Sequence, residues 1–406
     1  MEQISADPDV MRQLAAIRPF DTRPSGRVSS WPPLPGETLG GHAARQILRL
    51  CEAAGLSGND SVEYARTLLS VLGPVAERPL DMPPPYDSFL SDDHTPVEYS
   101  LAFTPDAQPT LRVLLEPGCG AGSLAENGRV GLRAVRALAR RWGFSTQRLD
   151  ELEDLFFPAA PEGPLALWLA LELLPGGVPK VKVYLNPAAS GEERSVATVR
   201  EALGRLGHDR AFGSLPPSER PLFFALDLGD WEEPRAKVYL VHRDLSAREA
   251  PGLVRTPGGP ARSQITRFFR TAAGQAAFGP GSRLGLDVPL DRRPGLSCHA
   301  FTSTRSARPS GFTLHVPVRD YARHDGEALD RAVTLLRRHG MDPAPLVEAL
   351  SAVTPRRLED GAGLIAYLAL AHQAGKPLRV TAYISSEAYE VRPPAAAPIA
   401  RVGAGR

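Results

Sequence analysis

Cysteine is scarce in this 406-residue chain: Cys51, Cys119 and Cys298 are its three. Thiols so few and so scattered build neither a disulfide framework nor a zinc site, so the sequence predicts a reducing compartment. No apolar run approaches the roughly 18 residues that span a bilayer, and the opening MEQISADPDVMRQ has no signal-peptide core. The expectation is a cytoplasmic protein with no membrane partner. Charge of one sign is missing as well. With 47 basic and 46 acidic residues the formal net charge is +1, which offers no general attraction to nucleic acid. None of the nine histidines forms a close ligand pair, and Asp92 and Asp93 in FLSDDHTP are followed by no third carboxylate at helical spacing. No metal site is expected, and no Ser or Cys stands in a nucleophile elbow.

What the chain does contain is a repeat. Five strand-like segments carry polar or charged residues on one face and apolar residues on the other: RVLLEP from Arg112, KVYLNP from Lys182, RAKVYLVH from Arg235, FTLHVPV from Phe312 and VTAYISS from Val380. Each follows another strand-like run: PVEYSLAF from Pro96, ALWLALEL from Ala166, PLFFALDL from Pro221, SCHAFTST from Ser297 and LIAYLALA from Leu364. The hairpins recur roughly 55 to 75 residues apart, a period that signals a repeated supersecondary unit. Between them, NGRVGLRAVRALARRWG from Asn127, QRLDELEDLF from Gln147, ERSVATVREALGRLG from Glu193 and GEALDRAVTLLRRHG from Gly326 show apolar residues at helical spacing. The fold class is α+β: two strands followed by helices, about five times over.

Residues at i and i+2 of a strand share a face, so Lys182 points with Tyr184, and Arg235 and Lys237 point with Tyr239. On a single strand, a solvated outer face explains this as well as anything. Repeated across the hairpins, with helices available to cover the apolar side, it predicts a closed barrel of about ten strands with a cationic and aromatic lumen. Such a lumen can bind a polyanion such as a diphosphate and stabilise it as a leaving group without a metal. Tyrosine faces can stabilise a developing carbocation and exclude water. Glu98, a lone acid in TPVEYSLAF, can accept a hydrogen bond from the N–H of an electron-rich aromatic, or be an ordinary surface strand acid. His315 falls where other repeats place tyrosine, so it is either a core histidine or a lumen residue.

One motif points elsewhere. LLEPGCGAGS from Leu114 matches the Gly-rich loop of S-adenosylmethionine-dependent methyltransferases. That fold needs a parallel sheet, and the following RALARRWGFSTQRLDELEDLFFP offers two helix-like segments with no buried strand between them. The methyltransferase and a non-catalytic ligand-binding barrel stay open as alternatives. The stretch DTRPSGRVSSWPPLPGETLGG from Asp21 and the tail from Arg392 are rich in Pro, Gly, Ala and Ser. Mobile ends are expected at 1–40 and 393–406, flanking one domain at 41–392.

At TPVEYSLAF, RVLLEP, KVYLNP, RAKVYL, HVPVRDY and YISSEAYEV the chain resembles aromatic prenyltransferases of the dimethylallyltryptophan synthase type, whose fold is the ABBA or PT barrel. FLSDDHTPVE, LEDLFFPAAPEGPLALW and VRDYARHDGEALDRA are most similar to the bacterial members that prenylate L-tryptophan at the six position of the indole. The resemblance implies that Glu98 pairs with the indole N–H and that Arg112, Lys182, Arg235 and Lys237 bind the diphosphate. It makes Tyr184, Tyr239 and Tyr383 a shield around the allyl cation, joined by His315, and puts Phe89 and Leu90 where backbone groups hold the amino acid. The implied substrates are L-tryptophan, or another indole or phenol, and dimethylallyl diphosphate, in a metal-independent reaction by a monomer or homodimer. Thr313 and His315 depart from the fungal pattern of Lys or Gln and Tyr, which implies a thinner shield there, with His315 open to contact with diphosphate or water instead. The base that restores aromaticity stays unassigned between Glu98 and diphosphate, and ALWLALEL, where some fungal members carry a lysine, reads as apolar.

Overall fold

Burial alternates along the strands as their sequences alternate. In β2 (Thr110–Leu115) Leu111, Val113 and Leu115 are buried, whereas Thr110, Arg112 and Leu114 are half-buried. The same two-residue period runs through β4 (Lys180–Leu185), where Val181, Val183 and Leu185 are the buried set. The computed structural model describes residues 36–275 and 287–395, so the ends expected to be mobile fall almost wholly outside the described residues.

The remaining strands are β1 (Val97–Phe103), β3 (Leu167–Glu172), β5 (Pro221–Leu228), β6 (Ala236–His242), β7 (Gly295–Phe301), β8 (Gly311–Val316), β9 (Ile365–Gln373) and β10 (Arg379–Ser385). Each pairs antiparallel with its sequence neighbour, and β1 pairs with both β2 and β10, which closes the barrel. This is the closed barrel expected from the repeat and the ABBA architecture implied by the resemblance, and closure leaves no free strand edge among these ten strands. The outward faces join the helices in one apolar core: Leu132, Val135 and Leu138 of the helix Leu124–Trp142 pack in the same cluster as Leu167, Leu169 and Val183 of the sheet. Ser123 caps that helix by accepting from the Glu126 amide, and Gly143 ends it in the left-handed conformation.

Two expectations are corrected. QRLDELEDLF forms two one-turn helices, Gln147–Asp150 and Glu153–Phe156, because amide-to-carbonyl bonds from Leu152 to Leu149 and from Leu155 to Leu152 tighten the chain between them. The strand expected from Ser297 begins at Gly295 and ends at Phe301; Thr302 already belongs to the turn, its hydroxyl bonded to Ser310 Oγ at 2.8 Å. The helices Leu39–Ala53, Gly58–Leu72, Arg262–Ala272 and Ala344–Val353 lie outside the periodic segments and were not anticipated.

The Gly-rich loop at 118–122 joins β2 to the helix Leu124–Trp142, on a sheet with no parallel strand pair among those described. A Cβ on Gly118 would meet Val130 at 2.8 Å and one on Gly120 would meet Val75 at 2.5 Å, so these glycines allow close packing. Glu116, the acid a nucleotide-binding loop would present to a ribose, is fully buried, accepts from Asn127 Nδ2 at 3.0 Å and is bonded to Ser88. The motif has a structural use here, which removes the basis of the methyltransferase alternative.

Candidate active site

The barrel encloses a cavity of about 510 Å³. Glu98, Arg112, Lys182, Tyr184, Arg235, Lys237, Tyr239, His315 and Tyr383 all line it, so the residues drawn from separate repeats converge on one space. Phe89 and Leu90 do not. Leu90 is buried with Trp168 and Phe223 beside the cavity, and Phe89 is 48% exposed, its ring stacked on Trp168 at 6.2 Å.

Arg112, Lys182, Arg235 and Lys237 do not wait unpaired for an anion. Register sets Lys182 opposite Asp227, whose carboxylate lies 3.2 Å from Lys182, 3.5 Å from Lys237 and 3.8 Å from Arg235. Arg112 is set opposite Glu172 and donates to it from Nε at 2.9 Å, with Nη2 at 2.8 Å, while Lys180 donates to the other oxygen at 2.8 Å. Burial alone would raise the Asp227 pKa, but Lys182 and Lys237 hold it down at about 2. Burial is likewise outweighed at Glu172, where Arg112 and Lys180 keep the carboxyl well below its ordinary range. Burial also opposes charge on both lysines. Asp227 prevails at Lys182 and raises it, whereas burial and the neighbouring Lys182 charge bring Lys237 down to about 7. Arg235 is held flat against Trp231, 4.3 Å from the ring centroid, and Arg379, also in the lumen, has its Nε buried without a partner.

Asp227, Glu172, Lys180, Trp231 and Arg379 were all missed in the sequence. The two acids are the penultimate residues of the runs PLFFALDL and ALWLALEL, and ALWLALEL was read as apolar. Their signal is a cross-strand one: each faces a basic residue only once the hairpins are paired.

Beside these cations, two residues along the same strands, the lumen is aromatic. The Tyr184 and Tyr239 rings lie 5.5 Å apart with their hydroxyls at 3.2 Å. Tyr239 is followed by His315 at 5.8 Å and His315 by Tyr383 at 5.6 Å. Phe223 edges against both Tyr184 and Tyr239, and Trp168 lies 5.1 Å from Phe223. Burial pushes the His315 pKa down to about 4, so its ring is neutral, and its Nε2 meets the Tyr383 hydroxyl at 3.2 Å. A neutral imidazole in this row extends the aromatic wall rather than the cationic one.

Glu98, at the start of β1, is 7% exposed. Burial lifts its pKa to about 8, against the pull of Arg319 and with the help of Asp92. The buried acid Glu98, a set of cations caged by Asp227 and Glu172, and a continuous aromatic face thus share one cavity. That arrangement suits departure of an anionic leaving group next to a stabilised cation.

A family model described as tryptophan dimethylallyltransferase matches residues 42–345. Prenyltransferase PriB, in a ternary complex with L-tryptophan and dimethylallyl thiolodiphosphate, is 61% identical with a TM-score of 0.84, the match covering 89% of this chain and 99% of that one. The 5-dimethylallyl tryptophan synthase of Streptomyces coelicolor is 61% identical with a TM-score of 0.83, over 90% of this chain and 100% of that one. The 6-dimethylallyltryptophan synthase of Micromonospora olivasterospora is 40% identical with a TM-score of 0.80, over 88% and 99%. Barrel, site chemistry and sequence agree: this chain is an aromatic prenyltransferase and belongs to the tryptophan dimethylallyltransferase family.

Proposed function

We propose that the protein transfers the dimethylallyl group of dimethylallyl diphosphate to the indole of L-tryptophan, at carbon six. The observation that carries the reading is the single cavity in which Asp227 and Glu172 gather Arg112, Lys182, Arg235 and Lys237 beside Tyr184, Tyr239, His315 and Tyr383. Relatives crystallised with tryptophan and thiolodiphosphate analogues support the substrate pair.

The cations take the diphosphate, and the allylic carbon–oxygen bond breaks with its electron pair going to the leaving oxygen. The aromatic wall stabilises the dimethylallyl cation and keeps water from it. Glu98, as a carboxylate, accepts the indole N–H and fixes the ring. A ring carbon donates its π electrons to the cation, forming the new carbon–carbon bond, and the displaced ring proton leaves to Glu98 or to the diphosphate. Fixed cations do the work that a metal does in other diphosphate enzymes, and the setting is cytoplasmic.

Carbon six follows the sequence resemblance. Carbon five is the second reading, favoured by the higher identity to the 5-synthase than to the 6-synthase, 61% against 40%. Both positions lie on the benzenoid ring, and a rotation of the indole about its Glu98 contact exchanges them. Incubation with L-tryptophan and dimethylallyl diphosphate, followed by proton NMR of the product, tests the reading. A singly prenylated tryptophan substituted at carbon six is expected; substitution at carbon five would transfer the assignment to the second reading, and no prenylated tryptophan would overturn the substrate.

A further inference from the structure

The four cations assigned to the diphosphate are not held alike. Glu172 holds Arg112 through both Nε and Nη2, and Lys182 and Lys237 share one oxygen of Asp227. Arg235 has a weaker hold on an acid. Its Nε lies 3.8 Å from Asp227 Oδ2, too long for a hydrogen bond, and is buried without a partner among the described residues. What fixes the plane of this guanidinium is an aromatic ring: its central carbon lies 4.3 Å from the centroid of Trp231.

The ring is placed by its hairpin. Trp231 belongs to the tip that joins β5 to β6, where the Asp227 amide donates to the Arg235 carbonyl at 3.0 Å and carries the ladder to the base of the tip. Gly229 has φ +151°, and a Cβ there would lie 3.0 Å from Trp231 Nε1, so glycine lets the ring lie close against the backbone. Glu233 ties this tip to the one joining β7 to β8, accepting from the Thr304 amide and from Thr304 Oγ1 at 2.9 Å. Lys180, Thr302 and Gln373, each beside a hairpin tip, line the cavity together with Trp231, which is 38% exposed. Trp231 therefore stands at the hairpin end of the lumen, stacked on Arg235 and partly open to solvent.

We propose that Trp231 is a positioning residue for the donor diphosphate: its ring holds the Arg235 guanidinium in plane, so that the N–H edge meets the phosphate oxygens as the donor enters. This rests on the reading of dimethylallyl diphosphate as donor. Trp231 does for Arg235 what Glu172 and Asp227 do for the other three cations, by different means. A carboxylate orients a cation but occupies its donors and offsets its charge; a ring face orients the guanidinium and leaves its N–H groups to the incoming anion. Trp231 takes no part in bond making and acts through Arg235.

The test is a double-mutant cycle on the binding of dimethylallyl thiolodiphosphate, read by isothermal titration calorimetry, with thermal melting as the folding control and steady-state kinetics beside it. Trp231→Ala is expected to weaken binding by about 5- to 20-fold, the size of a partly desolvated cation–π contact, and to raise the KM for dimethylallyl diphosphate without raising that for L-tryptophan. Trp231→Leu, which keeps apolar cover but no ring face, loses as much, and Trp231→Phe recovers most of the loss. In an Arg235→Met background, Trp231→Ala weakens binding no further. A folded Trp231→Ala with wild-type affinity overturns the proposal, as does a loss of the same size with and without Arg235. Failure of the underlying reading looks different: the wild type would then not bind the thiolodiphosphate, or would bind it no better than Arg235→Met does.

Discussion

Glu98 has the most constrained ionisation of the residues assigned to the acceptor. Its pKa is lifted to about 8 by burial, so in the free enzyme at neutral pH it is mostly protonated, and the carboxylate that receives an indole N–H forms as pH rises. We expect kcat/KM for L-tryptophan to increase with pH up to about 8 and to level off above it. Glu98→Gln removes that limb and lowers kcat/KM by about 100-fold; a pH–rate profile of wild type that is flat from pH 6 to 9 would contradict the assignment. Lys182 makes a different prediction because Asp227 has three cationic neighbours. Lys182→Ala leaves Lys237 and Arg235 to hold Asp227, so the thermal midpoint should move little while turnover falls about 100- to 1,000-fold. Steady-state kinetics with parallel melting curves separates this from unfolding. Arg112, Lys182, Arg235 and Lys237 were legible because they alternate with apolar residues in the second strands of the first three hairpins. Asp227 and Glu172 were not, since each sits inside an otherwise apolar run and its meaning comes from a partner on the neighbouring strand.

Turns and strand faces carry their own tests. Gly118 has φ +86°, and an added Cβ would lie 2.8 Å from Val130 Cβ and 2.9 Å from the Asn127 carbonyl oxygen. Gly118→Ala should therefore destabilise the protein by about 2 kcal/mol in urea unfolding, combining backbone strain with overpacking. A change under about 0.5 kcal/mol would show that the loop relaxes freely. On the outer face of β6 and β7, His242 Nε2 meets Ser297 Oγ at 2.8 Å, and the same hydroxyl meets His299 Nε2 at 3.0 Å. Burial lowers these imidazoles to about 4 and about 3, the second with added repulsion from His242. Both are neutral when folded, whereas the unfolded chain protonates them below about pH 6.5, so their contribution is present above that value and is lost as pH falls towards 4. The urea midpoint should drop across that window, and the drop should shrink in His242→Gln/His299→Gln. The strands themselves were readable from period-two patterning. QRLDELEDLF was not readable as two pieces, because its apolar spacing suits one helix and its bond pattern changes only locally.

At the scale of the whole molecule, the repeat foretold closure. Ten strands with one greasy and one charged face have a single economical arrangement when helices cover the greasy side, and the observed order from β1 round to β10 realises it. The four helices outside the repeat escaped the reading because nothing in the strand period refers to them. The Gly-rich loop misled for a physical reason too: tight packing against Val75 and Val130 asks for the same small residues as a cofactor does. What the barrel adds to its parts is a set of cations fixed by Asp227 and Glu172 before any substrate arrives, and the central claim is that these cations, with no metal, carry the leaving diphosphate. The rate of prenyl transfer from dimethylallyl diphosphate to L-tryptophan, measured by mass spectrometry in excess EDTA, tests this most directly. The account predicts an undiminished rate; loss of activity in EDTA with recovery on adding Mg²⁺ would contradict it.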